Sequence, residues 1–251
     1  MRVFKKKALC GLLCVFAVGS SFAQEAQTDS PLTEIFAPVL VQGLGNPATA
    51  SYVKLLRGVK AFVANQALAP LAPVRFQIVD LSKSEVPTKL RLEAGDKIIP
   101  IALDAEGLFE LPTVDVVGSA DGELVTNRKA GNVKVAAFVA SPGTSRESQR
   151  LGDVRLWCEV TWAMWEYDEP IFGKLVSLMT DGPCKSTKIK IGRLPPPGWK
   201  ATFAEILEGS RREAIAIRDK EGAFSPPITD LSWSNEAVLQ VKYVPVEAPK
   251  Q

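Results

Sequence analysis

The 251-residue chain contains no histidine. Imidazole is the usual base in Ser–His–Asp and Cys–His nucleophile activation, a frequent zinc ligand, and the side chain that titrates near neutral pH. Its absence excludes those chemistries and sets the expectation that the chain is not an enzyme of the common hydrolase kinds. No apolar run is long enough to span a bilayer. The run over residues 8–18 covers eleven residues, where ~20 are needed. There is no basic block, so nothing in the chain forms an electrostatic footprint for nucleic acid. Neither a metal-ligand cluster nor a cofactor motif is present, and no cofactor is expected.

The amino terminus carries Arg2, Lys5, Lys6 and Lys7 without an acid, then the apolar run, then Ser21-Phe22-Ala23 before Gln24. A basic segment, a short apolar segment and small residues before a cut predict a secretory signal peptide over residues 1–23. The alternative, a lipoprotein anchor, needs a small residue before the acylated cysteine, but Leu9 precedes Cys10 and Leu13 precedes Cys14. The expected product is periplasmic or secreted and has no membrane span. Of the 30 basic residues four leave with the signal, so 26 remain against 28 acidic ones, a net charge of −2. Cys10 and Cys14 leave too. Cys158 and Cys184 remain in an oxidising compartment, where one disulfide closing the loop between them is the simplest outcome.

The remaining 228 residues divide as follows. A polar, mobile lead-in is expected over 24–47. An amphipathic helix is expected over 48–69, because Tyr52, Leu55, Leu56, Val59, Phe62 and Val63 recur at helical spacing. Short strand patterns with a turn signal every eight to twelve residues predict a first β-module over 70–145. A mostly helical insert with the disulfide follows over 146–185, then a second β-module over 186–246 and a tail over 247–251. The fold class expected is α+β, mainly β, with two small antiparallel sandwich-like modules flanking the stapled insert.

Within the insert, residues 153–165 fit both periods. Val154, Leu156, Cys158, Val160, Trp162 and Met164 alternate, yet Leu151, Val154, Cys158, Trp162 and Trp165 share one helical face after a possible N-cap at Asp153. Length and the missing turn signal favour a helix. In the second module Ile189 and Ile191 alternate with lysines as a strand would.

The string Asp104-Ala105-Glu106-Gly107-Leu108-Phe109 returns as Asp219-Lys220-Glu221-Gly222-Ala223-Phe224, and eight of 21 positions agree at a constant offset of 115. A fixed-period echo predicts one hairpin unit used twice, an internal repeat.

Four groups of residues invite a chemical reading. Ser51 and Lys54 have the spacing of a serine–lysine acyl-transfer pair, but the S-D-N and K-T-G elements of that class are missing, so ordinary helix surface is expected. Asp104 with Glu106, and Asp219 with Glu221, are expected to serve their turns. A retaining glycosidase needs two carboxyl groups about 5 Å apart, and calcium needs six to eight oxygens. Trp157, Trp162 and Trp165, close to Glu166, Tyr167, Asp168 and Glu169, form the densest aromatic cluster; they are candidates for ligand or sugar binding as well as for packing. Arg128, in Asn127-Arg128-Lys129, is a candidate anion contact or a solvated turn residue.

The strand, Asp-x-Glu-Gly-x-Phe turn, strand pattern resembles prealbumin-like modules of the carboxypeptidase regulatory type, over 73–140 and more faintly over 188–244. Several strings are also similar to an exported bacterial family without an assigned activity. These are Phe62 through Leu68-Ala69-Pro70, Asn127-Arg128-Lys129, Leu151-Gly152-Asp153, Gly182-Pro183-Cys184, and Pro226-Pro227 leading to Asp230 and Ser232-Trp233. The resemblance implies β-sandwich scaffolds without catalytic residues. The function expected is non-enzymatic binding or scaffolding in the cell envelope, with an unidentified envelope protein or a glycan as partner. The alternative is a carbohydrate-binding or carbohydrate-active protein using the cluster from Trp157 to Glu169.

Overall fold

A computed structural model describes residues 46–246, except 83, 114, 116–120, 181 and 219. The expected signal peptide, nearly all of the lead-in and the tail lie outside the described residues. Eleven strands, three α-helices and a 3-10 turn make up the described chain, with the strands in three antiparallel sheets. The fold is therefore α+β and mainly β, with the disulfide in the helical region, as the sequence led us to expect.

The order begins with a strand where a helix was expected. β1 (Pro47–Ser51) runs antiparallel to β6 (Glu123–Lys129), and α1 (Tyr52–Asn65) starts only after it. Ser51 is the switch: its backbone is extended and its hydroxyl oxygen accepts the Lys54 N–H at 3.4 Å, capping the helix. Tyr52, Leu55 and Phe62 of α1 then point into the core.

The first module has two sheets. One runs β1-β6-β3-β4, with β3 (Leu90–Ala94) and β4 (Lys97–Ile101) joined by the Gly95-Asp96 turn. The other runs β5-β2-β7, from Leu108–Phe109, Arg75–Asp80 and Val133–Phe138. Their inward residues, among them Phe76, Leu92, Phe109 and Leu124, share one core with α1 and with Leu156, Val160 and Met164 of the central helix α2 (Leu151–Asp168).

The second module is one sheet, β10-β9-β11-β8, from Arg211–Ala214, Trp199–Glu208, Val238–Pro245 and Ser148–Arg150. β8 thus belongs to this sheet although it precedes α2. Its core gathers Ala204, Ile206, Leu239 and Val241 from the sheet, Phe224, Ile228 and Trp233 from coil, and Leu151, Val154 and Cys158 from α2. The stretch 186–192 forms no strand; Ile191 packs at the edge of this core, and pairing starts at the isolated bridge between Arg193 and Phe224.

The two copies of the sequence echo share a local device but not an architecture. Gly107 and Gly222 both sit at positive φ, 73° and 82°, where each chain passes close to a strand. Beyond the turns the two depart. Leu108 and Phe109 pair with β2, while Phe224 bridges Ile217 and Arg193. One module has two sheets and the other a single four-stranded sheet in a different order. The expected repeat of a whole hairpin unit is therefore corrected to a recurring turn: Asp and Gly recur because turns of this kind select them.

α2 is a helix, resolving the ambiguity of residues 153–165. It begins at Leu151 rather than behind an Asp153 cap. The Leu151 and Gly152 N–H groups donate to the carbonyls of Ala237 and Asn235 at 2.7 and 3.0 Å, so no side-chain cap is required. Asp153, 1 % exposed, instead accepts from the Ser141 N–H and hydroxyl. Among the described residues no helix is long and apolar enough to cross a membrane.

Arg128 lies inside β6, not in a turn. Its Nε donates to Asp80 at 2.6 Å and its Nη2 to the Val86 carbonyl, so it clamps the loop after β2 to the neighbouring sheet. Burial pushes the Asp80 carboxyl up, but bonds from Ser82, Arg128 and Thr88 outweigh it and hold the carboxyl well below its ordinary range. Asp80→Ala leaves Arg128 buried and unpaired, and is expected to cost about 3 kcal/mol near neutral pH. A depressed carboxyl stabilises above its unfolded pKa of about 4 and loses that contribution as the pH falls toward the folded value. In urea unfolding the gap between wild type and variant should therefore narrow below about pH 4. A gap independent of pH would contradict this role.

Cys158 and Cys184 are bonded, with Cα atoms 5.8 Å apart. The bond ties the middle of α2 to the chain that returns after the third helix, closing a loop of 26 residues' separation. Such a loop is worth on the order of 3 kcal/mol. Replacing both cysteines by alanine should lower the unfolding free energy by about that amount. Peptide mapping after alkylation without reductant should find neither thiol modified.

Candidate functional site

The three tryptophans are spread along α2. Trp157 lies half-buried where the two cores meet, and Arg193 covers its ring at 4.6 Å. Trp162 and Trp165 are one turn apart and lie against each other, with ring centroids 4.7 Å apart and planes tilted by 30°. Trp165 also receives Phe172 edge-on at 5.8 Å. Trp162 and Trp165 are thus brought together, while Trp157 stands apart with its own cation. Sugar stacking uses open ring faces, and one face of each of Trp162 and Trp165 is taken up by the other ring. Tyr167 and Asp168 are tied to α1: Ser51 donates to the Tyr167 oxygen at 3.3 Å, Arg57 lies over its ring, and Lys54 pairs with Asp168. Ser51 and Lys54 are therefore a helix cap and an ion pair.

Pro170–Thr180 forms α3, started by a proline whose missing N–H costs a helix nothing at that position. Its orientation is the reverse of an ordinary surface helix. Gly173 is buried and Val176, Ser177 and Thr180 are half-buried, so the small residues face inward. A Cβ at Gly173 would lie 2.6 Å from Glu166 Cγ, which shows how closely this face approaches α2. The large residues point out: Ile171 is 88 % exposed, Leu178 85 %, and Phe172, Leu175 and Met179 are each more than half exposed. A helix normally turns such residues to the core, and this exposed apolar face is therefore a candidate for interaction.

A cleft of about 580 Å³ opens beside the disulfide, with Cys184 in its lining. Its walls are α2, the residues after Cys184 and the loop 228–235. Arg155 holds that loop in place: its guanidinium donates to the carbonyls of Ile228, Asp230 and Trp233 and to Asn235 Oδ1 at 2.6–3.1 Å. Burial pushes the Arg155 pKa down, with Asp230 and Glu208 acting against it. One turn further along α2, Glu159 reaches the same cleft. Burial pushes its carboxyl up, partly offset by Lys185. Glu159 and Lys185 each line the cleft, and no ion pair joins them.

Of the turn acids singled out in the sequence, Asp219 lies outside the described residues and Asp104 is occupied by its own turn. Asp104 Oδ1 accepts the N–H groups of Glu106 and Leu108 at 3.0 and 2.8 Å, and Arg75 approaches its other oxygen at 3.6 Å. It lines a depression of about 640 Å³ with Glu110. Among the described residues no cluster of three or more histidine, cysteine or acidic side chains has the arrangement to hold a metal.

Sequence reasoning missed the outward face of α3 and the Arg155–Glu159–Lys185 cleft. A signal for the second existed, because each half-cystine is followed by a charge, Cys158-Glu159 and Cys184-Lys185, of opposite sign. No family model, curated protein or solved structure matches this chain, so its functional assignment rests on its own geometry.

Proposed function

We propose that the chain is an exported, non-enzymatic binding protein of the cell envelope whose contact element is α3. The observation that carries this is the reversed helix: five large apolar side chains face outward while glycine, serine and threonine face the protein. Full burial of each large side chain returns roughly 1.5–3 kcal/mol, and association costs ~4–15 kcal/mol. Five such residues return about 7.5–15 kcal/mol at most, comparable with that cost, and polar contacts at the rim must supply the rest.

The charge around the helix selects the kind of partner. Within α3 only Lys174 is charged, while Glu166 and Glu169 stand at its amino-terminal end. A helix that lies on an anionic membrane carries several lysines or arginines on its polar face, and α3 does not. The partner that fits is a protein with an apolar groove and a basic rim, receiving the helix as amphipathic helices are received in other grooves. Export is supported by the amino-terminal pattern, and the disulfide is compatible with an oxidising compartment.

Photo-crosslinking tests this directly. A photoreactive phenylalanine analogue at Leu178 in the full chain, expressed in its native cell, should give one discrete protein adduct. The same group at Lys134, exposed on β7, should not. Adding Ile171→Lys and Leu175→Lys should abolish the adduct and shift stability by no more than about 0.5 kcal/mol each, as at other solvent-facing positions. An adduct no stronger than at Lys134, or one formed with lipid or with a second copy of the chain, would overturn the proposal.

A further inference from the structure

The disulfide presents two opposite charges that do not meet. Glu159 follows Cys158 and Lys185 follows Cys184, and the half-cystines hold their backbones 5.8 Å apart at Cα. Glu159 and Lys185 are close enough for Lys185 to pull the Glu159 carboxyl back toward its ionised form. Yet they form no ion pair within 4.0 Å, and neither makes a side-chain hydrogen bond among the described residues. Glu159 is fixed on a rigid helix and half-buried, and Lys185, which is exposed, begins at a stapled backbone.

The space beside them is shaped for more than water. The cleft of about 580 Å³ falls within the size range of small-ligand sites, ~300–1,000 Å³. Leu68, Ile228, Leu231 and Trp233 give it an apolar wall, and Thr229 and Asn235 lie between. Arg155 is spent on loop carbonyls, so Lys185 is the cation that a ligand meets.

We propose that this cleft binds a small zwitterion, a free α-amino acid with an apolar side chain. The ligand ammonium pairs with Glu159 and its carboxylate with Lys185, bridging the gap that the two side chains leave open. Its side chain lies against the apolar wall formed by Leu68, Ile228 and Trp233. A half-buried carboxyl gains most from an opposite charge delivered in a geometry where water is partly excluded. The apolar wall discriminates for size: glycine offers it nothing, and each added buried methylene strengthens binding.

Titration calorimetry on the mature chain with L-leucine, L-methionine and L-phenylalanine tests the proposal. At least one should bind at millimolar concentration or below. Its two halves, the amine lacking the carboxylate and the acid lacking the amine, should each bind about tenfold or more weakly. Glu159→Gln and Lys185→Gln should each weaken binding by a similar factor. The unliganded melting temperature of each variant reports that its fold is intact, and Leu231→Ser, at an exposed position, provides a third variant with the same expected direction. No heat with any of the three amino acids overturns the proposal. So does equal binding of the amine alone, or affinity unchanged in both charge variants. This cleft and the outer face of α3 use different residues, so failure of one leaves the other untouched.

Discussion

The two-sided burial of α2 is the constraint on which the rest depends. Leu156, Val160 and Met164 face the core of the first module, while Leu151, Val154 and Cys158 face that of the second. Trp157 touches both. The helix has no solvent-facing stripe through its first turns, so polar residues there must be satisfied internally. Asp153 binds Ser141 and Arg155 binds the loop 228–235, each anchoring one module's coil to the same helix. Its amino-terminal N–H groups are filled by carbonyls of the second module. Removing the helix would expose both cores at once.

With α2 fixed, the placement of both candidate sites follows. The disulfide at its middle brings the returning chain to one face and forms the cleft with Lys185. Beyond the carboxyl end of α2, Glu169 and Pro170 turn the chain into α3, whose small inward face permits close approach. Small residues let two helices touch but bury little apolar area, so α3 gains little from its own packing. The staple compensates: it closes the loop that contains α3 and holds an apolar helix in a position its own burial does not secure.

Much of the architecture was legible because strands and turns carry local signals. Leu90 and Leu92 alternate with charges and Gly95-Asp96 marks the hairpin, so β3 and β4 could be read directly. Other elements were hidden for physical reasons. α2 fits two periods because a helix buried on opposite faces has apolar residues at spacings that a one-faced helix reserves for polar ones. Ala48 to Ser51 were absorbed into α1 because nothing in their composition announces pairing with β6, a partner some 75 residues away. Arg128 looked like a loop residue because its partner, Asp80, is distant in sequence. α3 lies inside the insert expected to be mostly helical, but a helical pattern does not reveal which way its apolar residues face. The echoed Asp-x-Glu-Gly-x-Phe turns were similar for reasons of turn chemistry, and their strands pair differently.

Native-state hydrogen exchange on Leu156→Ala tests the shared-wall account most directly. Leu156 is fully buried and belongs to the first core alone, and its truncation should cost about 2–5 kcal/mol. If α2 couples the two modules, the slowest amides of β11, Val238–Pro245, lose the same free energy of protection as those of β2, Arg75–Asp80. Loss confined to β2 and its neighbours, with β11 protected as in wild type, would show that the modules unfold independently and would contradict the account.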